Sequence, residues 1–173
     1  MAVLTVPSIG TVSLGMTAMF QGVAAAGTFF PSFVHDRVEM QFKLVWRFLL
    51  GVETAASSDA APLADFLARA SQLIIGGCEA VIALALLAAM LSPRGSSRRL
   101  HLANFGLALG VGLFSTFLIV LFAMHDSSLP KWNQYPSIIA WFGATWLIVS
   151  VTERPSSTGV HAGAVLDLQR RRP

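Results

Sequence analysis

Hydrophobic positions in this chain fall into four long runs separated by segments in which polar and charged residues recur. Ile9–Phe30, Leu73–Leu91, Leu102–Met124 and Trp132–Val151 each hold about 19 to 23 mostly apolar residues. At about 1.5 Å per residue each run reaches roughly 30 Å as a helix, the thickness of a bilayer's hydrocarbon core. The first run is rich in Gly, Ala, Ser and Thr, and Ala24–Ala26 has the small-residue character of a signal-peptidase site. Because no Lys or Arg precedes it, the basic start of a secretory signal is missing, and a retained helix is expected. The fourth run is strongly apolar only over Ile138–Val151, so it spans only with Trp132, Tyr135 and Pro136 as its interfacial start.

Between the first two runs the period changes. From Ser32 to Leu50, Asp36, Glu39, Lys43 and Arg47 recur at intervals of three and four, while Val34, Val38, Phe42, Val45 and Leu49 repeat on another face. This predicts an amphipathic helix, lying either at the outer membrane interface or as a lid across the spans. Gly51–Pro62 reads as a linker and Leu63–Ser71 as an extension of the second helix beyond the membrane. The expected fold is all-α: an integral membrane four-helix bundle over residues 1–151, with an additional amphipathic interfacial helix, followed by a disordered basic tail over 152–173. No internal repeat of the kind that builds transporters from two halves is visible.

Composition agrees with the pattern. Hydrophobic residues make up 54% of the 173 and charged ones only 12%, with a mean hydropathy of +0.65, values that place the chain in lipid. The sequence pI near 9.8 would suggest nucleic acid for a soluble protein, but the basic residues sit beside apolar runs, where topology and anionic lipid account for them. Arg94, Arg98 and Arg99 fill the short loop Ser92–Arg99, and Arg154 and Arg170–Arg172 dominate the tail. Both are assigned to the cytoplasm, so both termini are expected inside. Cys78, the single cysteine, lies within an apolar run and forms no intrachain disulfide.

Glu79 is the one charged side chain in these four runs. A carboxylate in mid-membrane costs at least about 2.5 kcal/mol on insertion scales, so Glu79 is expected to face the bundle, protonated or held by a polar partner. Counting inward from Phe30 and Leu73 brings Gln21 to a similar depth, whereas Asn104 starts the third run at the opposite side. Two roles stand open: interhelical glue through a Glu79–Gln21 hydrogen bond, or a proton path or ligand head-group site. His35, Asp36, His125 and Asp126 form a candidate outer-interface cluster for a divalent metal or a proton shuttle, with solvated interfacial side chains the favoured reading and no metal expected. His101 and His125 lie about 36 Å apart along one helix, too far for one haem. No catalytic template is present: there is no phosphate loop, paired CxxC, zinc-binding helix motif or nucleophile elbow. Small residues four apart, at Ala18, Gly22 and Ala26, Gly76 and Ala80, and Gly106 and Gly110, predict close helix packing within the chain rather than a homodimer.

Gly76-Gly77-Cys78-Glu79, followed by Ala80-Val81-Ile82-Ala83-Leu84-Ala85-Leu86-Leu87 and a short Arg-bearing turn, resembles the DoxX-like group of small four-helix membrane proteins, in which a Gly-x-x-Glu pattern opens the second helix. The small residues and aromatic close of Gly22–Phe30 are similar as well. Pro31-Ser32 replaces a lysine common after that point, and the long first connection is a further departure. The resemblance implies an accessory membrane subunit of a quinone-linked oxidoreductase, such as thiosulfate:quinone oxidoreductase, with partner subunits and with Glu79 near a quinone head group or a proton path. A structural or assembly subunit without a ligand site and a small proton-coupled transporter are the competing classes.

Overall fold

The computed structural model describes residues 8–30, 37–51, 60–124 and 134–153. All secondary structure among them is helical: α1 (Ile9–Phe29), α2 (Arg37–Leu49), α3 (Ala60–Leu91), α4 (Ser97–Met124) and α5 (Gln134–Thr152). α1, α3, α4 and α5 are each long and apolar enough to cross a membrane, as in a multi-pass membrane protein. His35, Asp36, His125, Asp126, Trp132 and the tail from Arg154 onward lie outside the described residues.

All four spans differ from the sequence expectation at an end, α1 only by stopping at Phe29. α3 starts at Ala60 rather than Leu73 and so absorbs both the expected extension and the end of the expected linker. Its 32 residues correspond to about 48 Å, well beyond the hydrocarbon core. α4 starts at Ser97, five residues before Leu102, because Ser96 caps it: the Ser96 Oγ accepts from the Arg99 backbone N–H at 3.2 Å. The turn before that cap is short because Gly95 adopts φ +74°, a conformation glycine reaches without Cβ strain. α5 starts at Gln134 and ends at Thr152, one residue past the expected Val151.

α1 packs on α3 and α5, α4 packs on the same two helices, and α2 lies against α3. The core between them holds Leu14, Ala18, Ile82, Leu86, Ala103, Leu107, Phe114, Phe142 and Val149. Glycines set the closest approaches. A Cβ on Gly106 would lie 2.9 Å from Leu86 Cδ2, one on Gly76 would lie 2.8 Å from Thr28 Cγ2, and one on Gly110 would enter the Phe142 ring. Ala18 is buried as expected, and Gly22 faces Ala83. Ala26 departs from the expectation and is exposed, whereas Ala25, Gly27 and Thr28 are buried. Two steps of four residues drift by about 80° on a helix of 3.6 residues per turn, which carries Ala26 off the face that Ala18 occupies.

Large apolar side chains cover the outside of the four long helices. Met19, Ile74, Ile119 and Leu147 are each two-thirds or more exposed. In water such a surface would associate; in acyl chains it is solvated. α2 is held to the projecting part of α3 by a Trp46 Nε1–H donated to Ser71 Oγ at 2.9 Å and by an Arg47–Asp65 ion pair at 3.6 Å. Its Phe42 ring stands 6.0 Å from that of Phe117 on α4.

Candidate functional site

Helix register decides what Glu79 meets. Gly15 faces Met90, Gly22 faces Ala83 and Thr28 faces Gly76, so α1 and α3 run antiparallel with Glu79 level with Ala25 and Ala26. Side chains on a helix tilt toward its N-terminus. For α3 that direction is toward the Phe30 end of the molecule, and the Thr28 hydroxyl accordingly donates to Glu79 Oε2 at 3.1 Å. The same Thr28 hydroxyl also reaches the Ala24 carbonyl at 3.0 Å, and Gln72 Nε2 donates to the Thr28 carbonyl at 3.2 Å. Glu79 is buried.

Gln21 does not join this group. It is fully buried, yet neither its Nε2 nor its Oε1 has a hydrogen-bond partner among the described residues. The expected Glu79–Gln21 hydrogen bond is therefore not formed. Depth alone had favoured the pair, but antiparallel helices tilt the two side chains in opposite directions, Glu79 toward the Phe30 end and Gln21 toward the Ser8 end. Asn104 is exposed and accepts from Trp146 Nε1 at 3.0 Å.

One turn below Gln21 a cluster of buried hydroxyls joins α1 to α5. Ser13 Oγ donates to Thr145 Oγ1 at 3.2 Å, and the Thr17 and Thr145 hydroxyls lie 3.3 Å apart. Thr17 also donates to the Ser13 carbonyl at 2.9 Å and accepts from Trp141 Nε1 at 3.0 Å. Sequence reasoning missed this cluster, although Ser13, Thr17 and Gln21 follow one another at four-residue steps in an otherwise apolar helix.

The Ser8 end carries a second feature that sequence reasoning missed. Arg99 and Glu153, counted as charges of a loop and a tail, form a buried ion pair with Nη2 and Oε1 2.9 Å apart and with 2% and 3% of their side chains exposed. Arg99 also donates to the Met90 and Ser92 carbonyls at 3.2 Å each and to Thr11 Oγ1 at 2.7 Å. Ser8, the N-cap of α1, donates to Glu153 Oε1 at 3.4 Å. The pair thus fastens α1, the α3–α4 turn, α4 and the end of α5 together. The available signal was position: Arg99 follows the helix-capping Ser96 by about one turn, and Glu153 stands two positions after the end of an apolar run.

Beside the Glu79 site lies an apolar cavity of about 340 Å³ between α2, α3, α4 and the start of α5. Phe42, Trp46, Ile75, Phe117, Val120 and Leu121 form its walls, and Ser71, Thr116 and Tyr135 supply hydroxyls. Tyr135 packs against Phe117 with ring centroids 5.6 Å apart and against Phe114 at 6.2 Å. It therefore borders the cavity at the start of α5. A volume in this range, with aromatic walls and few polar groups, is typical of pockets for amphipathic small molecules. Among the described residues no group of three or more His, Cys, Asp or Glu side chains could hold a metal ion.

Comparison of the chain with protein-family models, curated proteins and solved structures gives no match.

Proposed function

We propose that the protein is an accessory integral membrane subunit of a quinone-linked oxidoreductase complex, as the DoxX-like resemblance at Gly76–Glu79 implies, with no catalytic machinery of its own. In this reading α1, α3, α4 and α5 form a four-helix bundle across the bilayer, α2 is the amphipathic helix at the outer interface, and both termini are cytoplasmic. The observation that carries the reading is the apolar cavity under α2, whose wall residue Ile75 lies one helical turn before the buried Glu79. The residues present fit a quinone head group. Flat aromatic walls suit its ring, the Tyr135 phenol and the Ser71 hydroxyl are donors for its carbonyl oxygens, and the apolar side toward α4 suits an isoprenoid tail. When bound, a quinone would supply a two-electron, two-proton acceptor. Glu79, held by Thr28, is the group proposed to keep a proton near it.

An assembly subunit would dock its small-residue faces, those at Gly106 and Gly110 included, and the amphipathic 32–50 helix against larger membrane partners. Gly106 and Gly110 are instead used inside the molecule, against Leu86 and Phe142, which weighs against it. Native purification in mild detergent, with extraction and quantification of bound quinone and identification of co-purifying membrane proteins, tests the proposal. Quinone is expected in near-stoichiometric amount together with a redox partner. Glu79→Gln is expected to lower quinone-dependent electron transfer by the complex at least tenfold while leaving its assembly unchanged. A complex that transfers electrons normally with Gln at position 79 overturns the role given to Glu79.

A further inference from the structure

The outward surface of α4 is not uniform along its length. Arg98, His101 and Asn104 are all exposed and follow one another at steps of three, and the exposed Phe105 comes directly after them. Residues three apart are neighbours on a helix surface, so the three polar side chains form one stripe, about 9 Å long, leading inward from the α3–α4 turn. An asparagine on the outer face of a membrane span is costly unless its amide is satisfied. Trp146 of α5 meets only half of that need, through its Nε1–H at 3.0 Å. An indole N–H can only donate, so the bond uses the Asn104 oxygen and leaves both Nδ2 hydrogens for a further acceptor. Charge at this end is one-sided. Arg94 and Arg98 are exposed, whereas Glu153, the one carboxylate at this end among the described residues, is buried against Arg99.

We propose that the start of α4, with Trp146 of α5 beside it, binds one anionic phospholipid: its phosphate lies on Arg98, Arg94 and His101, and a glycerol ester carbonyl accepts from the Asn104 amide. The order of the stripe carries the assignment. From water inward a phospholipid presents its phosphate, then its esters, then its acyl chains, and α4 presents arginine, histidine, asparagine and then Phe105. A guanidinium offers parallel N–H groups that match phosphate oxygens. The His101 imidazole carries an N–H in either protonation state, and an ester carbonyl, which can only accept, suits the Nδ2 donors that Trp146 leaves over. A zwitterionic lipid would bring its own cation against Arg94 and Arg98, so the site selects a head group with net negative charge. Asn104 lies about 18 Å along α4 from Thr116 in the wall of the cavity, so the lipid site stands apart from the quinone reading.

Native mass spectrometry of the full-length protein, released from nanodiscs of equal phosphatidylglycerol and phosphatidylcholine, tests the site. One phosphatidylglycerol is expected to be retained in preference to phosphatidylcholine. Arg98→Gln and Asn104→Leu are each expected to lower that retention about fivefold, the effect of one basic residue at a charged membrane surface. Both positions are exposed, and circular dichroism of the same samples is expected to show unchanged helix content. Lys43→Gln, which removes the same charge from α2, is expected to leave retention as it was. Equal retention of the two lipids overturns the proposal. Equal losses in Lys43→Gln and Arg98→Gln would show attraction set by net charge alone and overturn a site on α4, and full retention in Asn104→Leu with unchanged helix content overturns the ester contact on which the assignment rests. Glycerol 3-phosphate added in excess is expected to leave the lipid in place. Its displacement would show a site for a soluble phosphate and overturn the lipid.

Discussion

Arg99 is only 1% exposed, and its Nη1 and Nη2 groups meet four acceptors, Glu153, Thr11 and the carbonyls of Met90 and Ser92, while its buried Nε has no hydrogen-bond partner among the described residues. Taking both charges out of water is costly, so the pair contributes little net stability compared with apolar residues, while breaking it leaves one charge buried and uncompensated. Arg99→Met is accordingly expected to destabilise by about 3–5 kcal/mol, read as a lowered midpoint in denaturant titration, and Arg99→Met combined with Glu153→Leu to recover most of that loss. Independent, additive effects of the two substitutions would contradict the pairing. At this scale the sequence made Glu79 conspicuous because contrast with its neighbours needs no knowledge of partners. It hid the Glu79–Thr28 bond, since Leu73, from which depth was counted, proves to be a mid-helix residue of α3 and not its end. Arg99 and Glu153 were hidden for a different reason, because charges at the ends of apolar runs look solvated until the partner 54 positions away is seen to cover them.

Helix against helix, close packing depends on which small residues face a neighbour, and four-residue spacing alone did not determine it. Gly106 and Gly110 lie on one face and both are buried, whereas Ala26 rotated out of the α1 face that the same rule assigned it. Gly110 and Gly112 make a matched pair for testing this. The Phe142 ring occupies the space beside Gly110, while a Cβ on Gly112 meets nothing within 4 Å. Gly110→Ala is expected to cost about 1–3 kcal/mol through displacement of the ring, and Gly112→Ala to be neutral or slightly stabilising because alanine loses less backbone entropy in a helix. Thermal unfolding in detergent distinguishes them, and equal effects at the two sites would remove Gly110 from the α4–α5 contact. The extent of α3 was legible only in part: Leu63–Ser71 was expected to continue the helix, but the turn-like composition before it concealed that Ala60 already belongs to it.

For the molecule as a whole, the four-crossing plan was the most legible feature, because membrane thickness imposes a length on apolar runs that no soluble packing demands. Orientation rests on the distribution of basic residues, and the buried ion pair changes how they should be counted. Arg99 is neutralised by Glu153 inside the fold. The bias still stands without it, since Arg94 and Arg98 remain at the α3–α4 turn, and Arg154 and Arg170–Arg172 follow α5 in the sequence. In the connection before α3, Arg47 is opposed by Asp65 at 3.6 Å, which weakens the basic signal on the other side. In the proposed orientation the α3–α4 turn is cytoplasmic and the α2 end lies outside. With Cys78 replaced by Ser, a cysteine introduced at Leu50 is expected to react with a membrane-impermeant maleimide on intact cells. One introduced at Arg94 is expected to react only after permeabilisation. Reversed labelling would invert the orientation and move Glu79 and the cavity toward the cytoplasm. Labelling of both from one side would mean that α3 does not cross the bilayer, and the whole arrangement of cavity, carboxylate and hydroxyl seam would lose its membrane context.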